Sequence, residues 1–503
     1  MIGRSMLAYI PVNLASLIVS FGGIVILTRI LDSAEYGRYA IAMITMMAIH
    51  MAFFTWLEAA MARYQARAER ENTVKDHVKT LYVYALRTAL PAWALFMALI
   101  YAITSIPSDI KLLLCVALTS TTFQLFLNLG MEAHKAAHRI KRYSASFASH
   151  QMISFIAGLI LVLVLKSSGF MTPEVGMFIG ICIGTALVML FDLPFMLKQM
   201  KGSGKADPER VKLYFQYGMP ISISLILTYA LSSGDMYLIS GILGDSAAGE
   251  YSASYNLANR SLDILFIWIG MAVTPIAVTA LEKEGLETSK KVLRDYGAAL
   301  LWISMPAATG IALIAEPAGF ILGEDVRQGA VKIMPLIAFA GVMNGMICYY
   351  AQRAFMLSGK TNMFVWAMVP PVIINIVLNL WLIPQYHLMG AVWATVIAYG
   401  LGLIVALAVG RRYFPIPIPV KAFFQISFAC LIMAAIVYAL PIPADWPDFV
   451  EILIKAITGI SVYGLFCFST NTAGCRAIIQ NIYFKVRGAK DPAPKSNLEA
   501  STT

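Results

Sequence analysis

The sequence predicts an all-α polytopic membrane protein, and three observations carry that reading. The first is composition. Of 503 residues, 59% are apolar and 13% charged, with a mean hydropathy of +0.73. Soluble domains carry roughly 25% charged residues, so no aqueous fold could bury this much apolar surface. The second is spacing: apolar runs of about twenty residues recur along the chain, each long enough to cross ~30 Å of hydrocarbon. The third is self-similarity. Ile26-Leu-Thr-Arg-Ile-Leu-Asp-Ser-Ala-Glu-Tyr-Gly-Arg-Tyr39 joins the first run to the second, and Ile242-Leu-Gly-Asp-Ser-Ala-Ala-Gly-Glu-Tyr251 says nearly the same thing 212 residues later. A second echo, Gly176-Met-Phe-Ile-Gly180 and Gly390-Ala-Val-Trp-Ala394, has an offset of 214. Repeats at one offset in a membrane chain point to a carrier whose site lies between the copies. The competing reading is that Gly-x-Tyr is a common way to re-enter a bilayer.

Taken in order, the apolar runs give about fourteen spans: 8–28, 39–62, 81–105, 110–131, 145–165 and 175–197, then 217–240, 251–281, 297–315, 332–357, 363–383 and 389–409, and finally 422–440 and 450–469. The expected organisation is two six-helix bundles, 1–200 and 213–412, two extra helices within 421–470, and a tail, 471–503. The first run follows Arg4 and lacks a small-residue cleavage signal, so it reads as a retained helix. Pro91, Pro220, Pro275, Pro306, Pro335 and the pair Pro370-Pro371 interrupt their spans. Such kinks persist where neighbours or water satisfy the freed backbone groups. Gly176, Gly180 and Gly184 form a small-xxx-small stripe suited to close helix packing. In the tail, Ile478, Ile482 and Val486 share a helical stripe flanked by Arg476, Lys485 and Arg487, the pattern of a short basic helix on a membrane surface. From Gly488 the composition is that of a disordered segment.

Charge gives the orientation. The N-terminus, alternate loops and tail hold 28 of the 38 Lys and Arg residues, while the opposite loops hold five (Arg29, Arg38, Lys111, Lys166 and Arg327). This asymmetry puts both termini in the cytoplasm. The net charge of +10 is therefore an orientation signal and not a nucleic-acid surface. Six cysteines show no CxxC spacing, which argues against a disulfide framework or a metal site. His134 and His138 follow Glu132 at a spacing of four but have no evident third ligand. No phosphate-binding glycine loop, nucleophile elbow or aspartate-rich glycosyltransferase motif is present, so the sequence predicts neither an enzyme nor a cofactor.

Charges within spans are the candidate site residues, because each costs roughly 2.5–3.5 kcal/mol at a helix centre unless it meets a partner or a wet cavity. Asp235 lies nine residues before Gly244 and Arg260 nine after Tyr251, both about 13–14 Å deep. Asp263 is one turn past Arg260 and could share its ion pair. Nearer the cytoplasm are Glu58, Arg87 and Arg353, the last preceded by Tyr349 and Gln352, side chains that stack on and hydrogen-bond to sugars. The competing role for each is an ion pair pinning two helices, or an end residue reaching the headgroups. His50 could carry protons, or could be a hydrogen-bonded structural histidine.

Thr28-Arg-Ile-Leu with Glu35-Tyr-Gly-Arg-Tyr39, Gly249-Glu-Tyr251, Gly390-Ala-Val-Trp-Ala394 and Asn375-Ile-Val-Leu-Asn-Leu380 together resemble the multidrug/oligosaccharidyl-lipid/polysaccharide exporter (MOP) superfamily, and within it the Wzx-type O-antigen and exopolysaccharide flippases. The resemblance covers about residues 5–470. It implies two six-helix bundles in a V around a central cavity in a bacterial inner membrane. The cargo it implies is a short oligosaccharide on a polyprenyl pyrophosphate, carried across membrane lipid, with a polysaccharide polymerase and a chain-length regulator as candidate partners. A lipid II flippase or a multidrug/cation antiporter of the same superfamily are the alternatives. Arg260, Arg353, Arg87, Tyr349 and Gln352 are then the cargo candidates, and Asp235, Asp263, Glu58 and His50 the ion-pair or coupling candidates.

Cysteine labelling with an impermeant reagent, on a chain freed of its native cysteines, is expected to mark positions in 32–38, 244–250 and 441–449 from outside. Positions in 63–80, 198–212 and the tail should react only after permeabilisation. An outward tail would break the fourteen-span count.

Overall fold

Hydrocarbon offers the backbone no hydrogen-bond partners, so a spanning chain must satisfy its own peptide groups. The computed structural model describes residues 8–104, 106–200, 205–443 and 445–476, and among these it is built of helices and short turns with no strand. In chain order the helices are α1 (Ile10–Ile30), α2 (Ser33–Phe53), α3 (Thr55–Arg70), α4 (Val74–Ala102), α5 (Ser108–Ala136), α6 (Ile140–Ser168), α7 (Val175–Met200), α8 (Pro208–Ser233), α9 (Asp235–Leu243), α10 (Asp245–Lys283), α11 (Leu286–Leu313), α12 (Glu324–Gly345), α13 (Gln352–Leu357), α14 (Thr361–Tyr413), α15 (Val420–Tyr438) and α16 (Asp448–Thr470). A π-helical turn, Met346–Ala351, joins α12 to α13. Apart from Arg476, the residues expected to form the basic tail helix and its charged flanks lie outside the described residues.

Among the described residues, eleven helices are long and apolar enough to cross a membrane, or twelve if the bent pair α2 and α3 forms one span. The expected fourteen exceeds this count, and continuity is one reason. Spans 363–383 and 389–409 both fall in α14, whose 53 residues would reach about 80 Å at 1.5 Å per residue, against a ~30 Å core. His387, with φ 51° and ψ −136°, breaks α14 between them. Span 251–281 falls in α10, which is not among the eleven. Span 39–62 is not one rod either: it breaks at Phe54, where α2 and α3 diverge by 52°.

Packing divides the chain into two compact units, Met1–Ile264 with Ala315–Pro415, and Leu265–Ile314 with Ile416–Thr503. In the first unit, the repeated turns show why their residues recur. Asp32 accepts from the Glu35 amide (2.7 Å) while Glu35 accepts from the Asp32 amide (2.9 Å), a reciprocal cap that starts α2. At the second copy, Gly244 takes φ 91° and Ser240 Oγ donates to Asp245 (2.6 Å), starting α10. The two starts then cross each other. A Cβ on Gly37 would overlap the Asp245 carbonyl, and one on Gly249 would overlap the Ser33 carbonyl. Ser33 and Ser246 hydroxyls share a hydrogen bond beside them (2.5 Å).

Glycine sets the α6–α7 contact in the same way. A Cβ on Gly176 would lie 2.6 Å from the Val162 amide, while Gly180 and Gly184 lie against Gly158 and Ser154. The stripe read from the sequence is thus a packing face. Helices in lipid associate by van der Waals fit without a hydrophobic drive, which makes such close approach valuable. Elsewhere in this unit, Phe54 at the α2–α3 bend and Leu57 and Met61 of α3 pack with Val78 and Leu81 of α4, Leu125 and Leu129 of α5, and Tyr214 of α8. His77 Nδ1 and the Tyr214 hydroxyl share a hydrogen bond (2.6 Å).

In the second unit α11 packs with α15 and α16. Tyr463 donates to the Trp302 carbonyl (2.8 Å), and Lys455 joins Glu451 (2.6 Å) and the Leu313 carbonyl (3.2 Å).

Replacing Gly37 with Val should force α2 and α10 apart and cost about 1–3 kcal/mol, as overpacking does. Thermal melting of the purified protein in detergent should drop by several degrees. Gly241→Ala, where a Cβ meets nothing within 4 Å, should melt no lower than the parent.

Candidate functional site

The first unit encloses a cavity of about 540 Å³. α1 and α2 contribute to its lining, as do α5, α6 and α7, and α8 to α10 and α12 meet them across it. The crossing of α2 with α10 brings residues 36–47 and 251–263 to the same space. Tyr36 and Tyr39 sit with ring centroids 6.0 Å apart, and Tyr251 and Tyr255 stack at 6.1 Å. Gln124, Gln151, Asn256, Asn259 and Asn344 add amides, and His150 shares a hydrogen bond with Thr185 (3.0 Å). A lining of aromatic faces and amides within an apolar bundle suits a polyhydroxylated ligand.

Two of the sequence candidates meet here. Arg260 and Asp263 both line the cavity from α10. Asp263 accepts from Asn259 (3.1 Å), and the Arg260 charge acts on Asp263, Tyr229 and Tyr255. Arg260 is exposed and makes no hydrogen bond or ion pair of its own among the described residues. Asp235 stands behind the wall, 1% exposed. Its Oδ2 accepts from the Tyr251 hydroxyl and from Thr395 (3.1 Å), so its partners are hydroxyls and not Arg260. Its Oδ1 has no hydrogen-bond partner among the described residues.

The other candidates lie elsewhere. His50 and Glu58 form a pair at 2.9 Å that bridges the α2–α3 bend. Arg87 is exposed on α4 with its guanidinium 5.1 Å from the Tyr84 ring centre. Tyr349 belongs to the π turn, and Arg353 Nε donates to its carbonyl (3.2 Å), satisfying an acceptor at that irregular turn. Gln352 begins α13, half-buried, and neither it nor Arg353 lines the cavity. Lining residues missed in the sequence are Gln124, Gln151, Asn256, Asn259 and Asn344. Their signal was present: an amide inside an apolar span is also costly to bury unpaired.

Several other charges in this unit form pairs. Arg38 pairs with Glu174 (2.6 Å) and Lys166 with Glu35 (3.2 Å). Glu174 lies in the turn before α7, where burial pushes its carboxyl above the ordinary value and Arg38 opposes the shift. Asp192 is held by Arg142 (2.7 Å) and Ser146 (2.8 Å), with His134 at 3.6 Å. His134 is buried and His138 exposed, so the two histidines do not share one environment. Among the described residues no group of three or more His, Cys, Asp or Glu could hold a metal, and all six cysteines are free.

A multi-pass helical membrane chain with a cavity lined by amides, tyrosines and apolar side chains has the build of a transporter. More particularly, residues 2–280 match the family of polysaccharide biosynthesis proteins, and the chain belongs to that family. A Klebsiella pneumoniae protein described as an uncharacterized membrane protein in the cps region is 21% identical over 340 residues, a stretch spanning 66% of each chain. The fold is similar to that of the lipid II flippase MurJ in an inward closed conformation, with a TM-score of 0.71 and 15% identity over 96% of this chain and 99% of that one. It is also similar to an inward-facing multidrug resistance MATE family transporter of the MOP superfamily, with a TM-score of 0.64 and 14% identity over 80% and 93% of the two chains.

The contrasting environments of Arg260 and Asp235 should appear in stability. Arg260→Ala should change unfolding free energy by no more than about 0.5 kcal/mol, as for substitutions that break no packed contact. Asp235→Ala should cost about 1–3 kcal/mol, because it removes the buried acceptor that the Tyr251 and Thr395 hydroxyls share. Denaturant titration in mixed micelles distinguishes the two.

Proposed function

We propose that this chain flips polyprenyl-pyrophosphate-linked oligosaccharide units, precursors of O-antigen, capsule or exopolysaccharide, from the inner to the outer leaflet of a bacterial cytoplasmic membrane. The observation that carries the reading is the cavity itself. It joins Arg260, without an ion-pair partner among the described residues, to amides and tyrosines suited to sugars. In this reading the bundle 1–200 rocks against 213–412, both termini are cytoplasmic, and the cavity opens to alternate sides while the lipid tail stays in the bilayer. The Gly37–Gly249 crossing is then the outward gate. An inside-negative potential drives an anion outward by roughly 2.3 kcal/mol per charge per 100 mV, so a doubly charged pyrophosphate gains several kcal/mol. Asp235, Asp263 and the His50–Glu58 pair are the candidates for coupling to an ion gradient that resets the carrier. Arg87, Tyr349, Gln352 and Arg353 are candidates for the entry path. A polymerase and a chain-length regulator are candidate downstream partners.

The fold similarity to the lipid II flippase over 99% of its chain favours a second reading, lipid II as cargo. Deleting the gene separates the two. With the glycan precursor as cargo, lipid-linked oligosaccharide accumulates on the inner leaflet while its synthesis and cell-wall growth continue. Lysis with stranded lipid II would replace this reading with the second.

In the complemented strain, Arg260→Ala should abolish surface glycan at unchanged membrane level. Arg260→Lys should restore only part of it, since Lys keeps the charge but loses the planar fork that grips phosphate. Normal surface glycan with Arg260→Ala would remove Arg260 from the cargo site.

A further inference from the structure

The cavity carries little net charge. Among its described lining residues two bear a full charge, Arg260 and Asp263, opposite in sign and one turn apart on α10. The lining imidazole, His150, is tied to Thr185. Cations around the cavity are already committed: Arg38 to Glu174, and Lys166 to Glu35. Asp235, behind Tyr251, adds a carboxylate with no cationic partner among the described residues. Against these stand the amides of Gln124, Gln151, Asn256, Asn259 and Asn344, together with the tyrosine faces.

We infer that the cavity selects a glycan head that is uncharged beyond its phosphate linkage, composed of neutral hexoses and N-acetylated sugars and free of uronic acids and other acidic substituents. The inference rests on the flippase reading above and narrows its cargo. Amides and tyrosines supply what neutral sugars need: paired donors and acceptors for hydroxyl and acetamido groups, and aromatic faces for the C–H side of the ring. A carboxylate on the sugar would have to shed water into this space, and an ion so desolvated is costly unless a counter-charge meets it. Among the described lining residues the one cation is Arg260. The phosphates engage it first, and Asp263 already draws on its charge. A second anion therefore faces the Asp263 carboxylate, with that of Asp235 behind the Tyr251 wall, and meets no second cation among the described lining residues. Size exclusion does not enter, because a hexose and its uronic acid differ by little in volume.

The test is flipping in proteoliposomes containing the purified full chain. Two cargos are compared: polyprenyl pyrophosphate bearing a neutral trisaccharide of glucose and N-acetylglucosamine, and the same molecule with one glucose replaced by glucuronate. Flipping is read as accessibility of the sugar to an impermeant periodate reagent. The neutral cargo should move at least tenfold faster. In Gln151→Lys, which places a second cation on the lining, the ratio between the two rates should fall severalfold. Asn256→Lys serves the same purpose if the first variant melts early. Equal rates with the parent chain, or a faster glucuronate cargo, would overturn the inference and leave the flippase reading standing. Movement of neither cargo by folded protein would overturn the flippase reading and the inference with it.

Discussion

Two glycines meeting backbone to backbone organise the first unit. Gly37 and Gly249 occupy matching places in the two copies of one turn, and each lies against the carbonyl that starts the other's helix. No side chain fits between them. The crossing holds the first turns of α2 and α10 together, and from it the two helices run along the cavity, presenting residues 36–47 on one side and 251–263 on the other. The Asp32–Glu35 cap fixes where α2 begins, and Gly244 with its positive φ fixes where α10 begins. Local backbone chemistry thus sets the position of a contact between segments more than two hundred residues apart.

Charge is distributed by the same economy. A buried ion is tolerated when a partner answers it: Glu174 is answered by Arg38 and Asp192 by Arg142 and Ser146, and the half-buried Glu58 meets His50. Asp235 is met by hydroxyls instead, one from Tyr251 in the cavity wall and one from Thr395 on α14. That arrangement ties a lining tyrosine to a helix distant in sequence. Arg260 is the contrasting case, a cation in the cavity wall with no hydrogen bond or ion pair of its own among the described residues.

Helix continuity is broken where side chains can absorb the break. At Phe54 the Trp56 indole donates to the Phe53 carbonyl (3.0 Å), and His50 reaches across the bend to Glu58. At the π turn Arg353 covers the Tyr349 carbonyl. At His387 the direction of α14 changes, and Gly390 then lets the chain pass the Leu382 carbonyl without a Cβ to obstruct it. Irregular backbone at membrane depth persists only where such partners or a wet cavity exist.

Sequence alone determined the class of fold, the repeated turn and the two charges that line the cavity. Each leaves a local mark, in apolar run length, in an offset between similar turns, and in an ionised residue where lipid penalises it. The glycine stripe on α7 was legible for the same reason. Helix length and apolarity give eleven or twelve spans among the described residues against the fourteen expected, because two expected spans share α14 on either side of His387 and α10 is not among the eleven. Pairing was decided by tertiary structure. Asp235 and Arg260 share a depth in the sequence, yet Asp235 binds Tyr251 and Thr395, since depth fixes one coordinate of a side chain and the rotation of its helix fixes the rest. The amides of Gln124, Gln151, Asn256, Asn259 and Asn344 became a site only when helices from distant parts of the chain turned them inward together. No local pattern encodes that convergence; the close approach of the helices produces it.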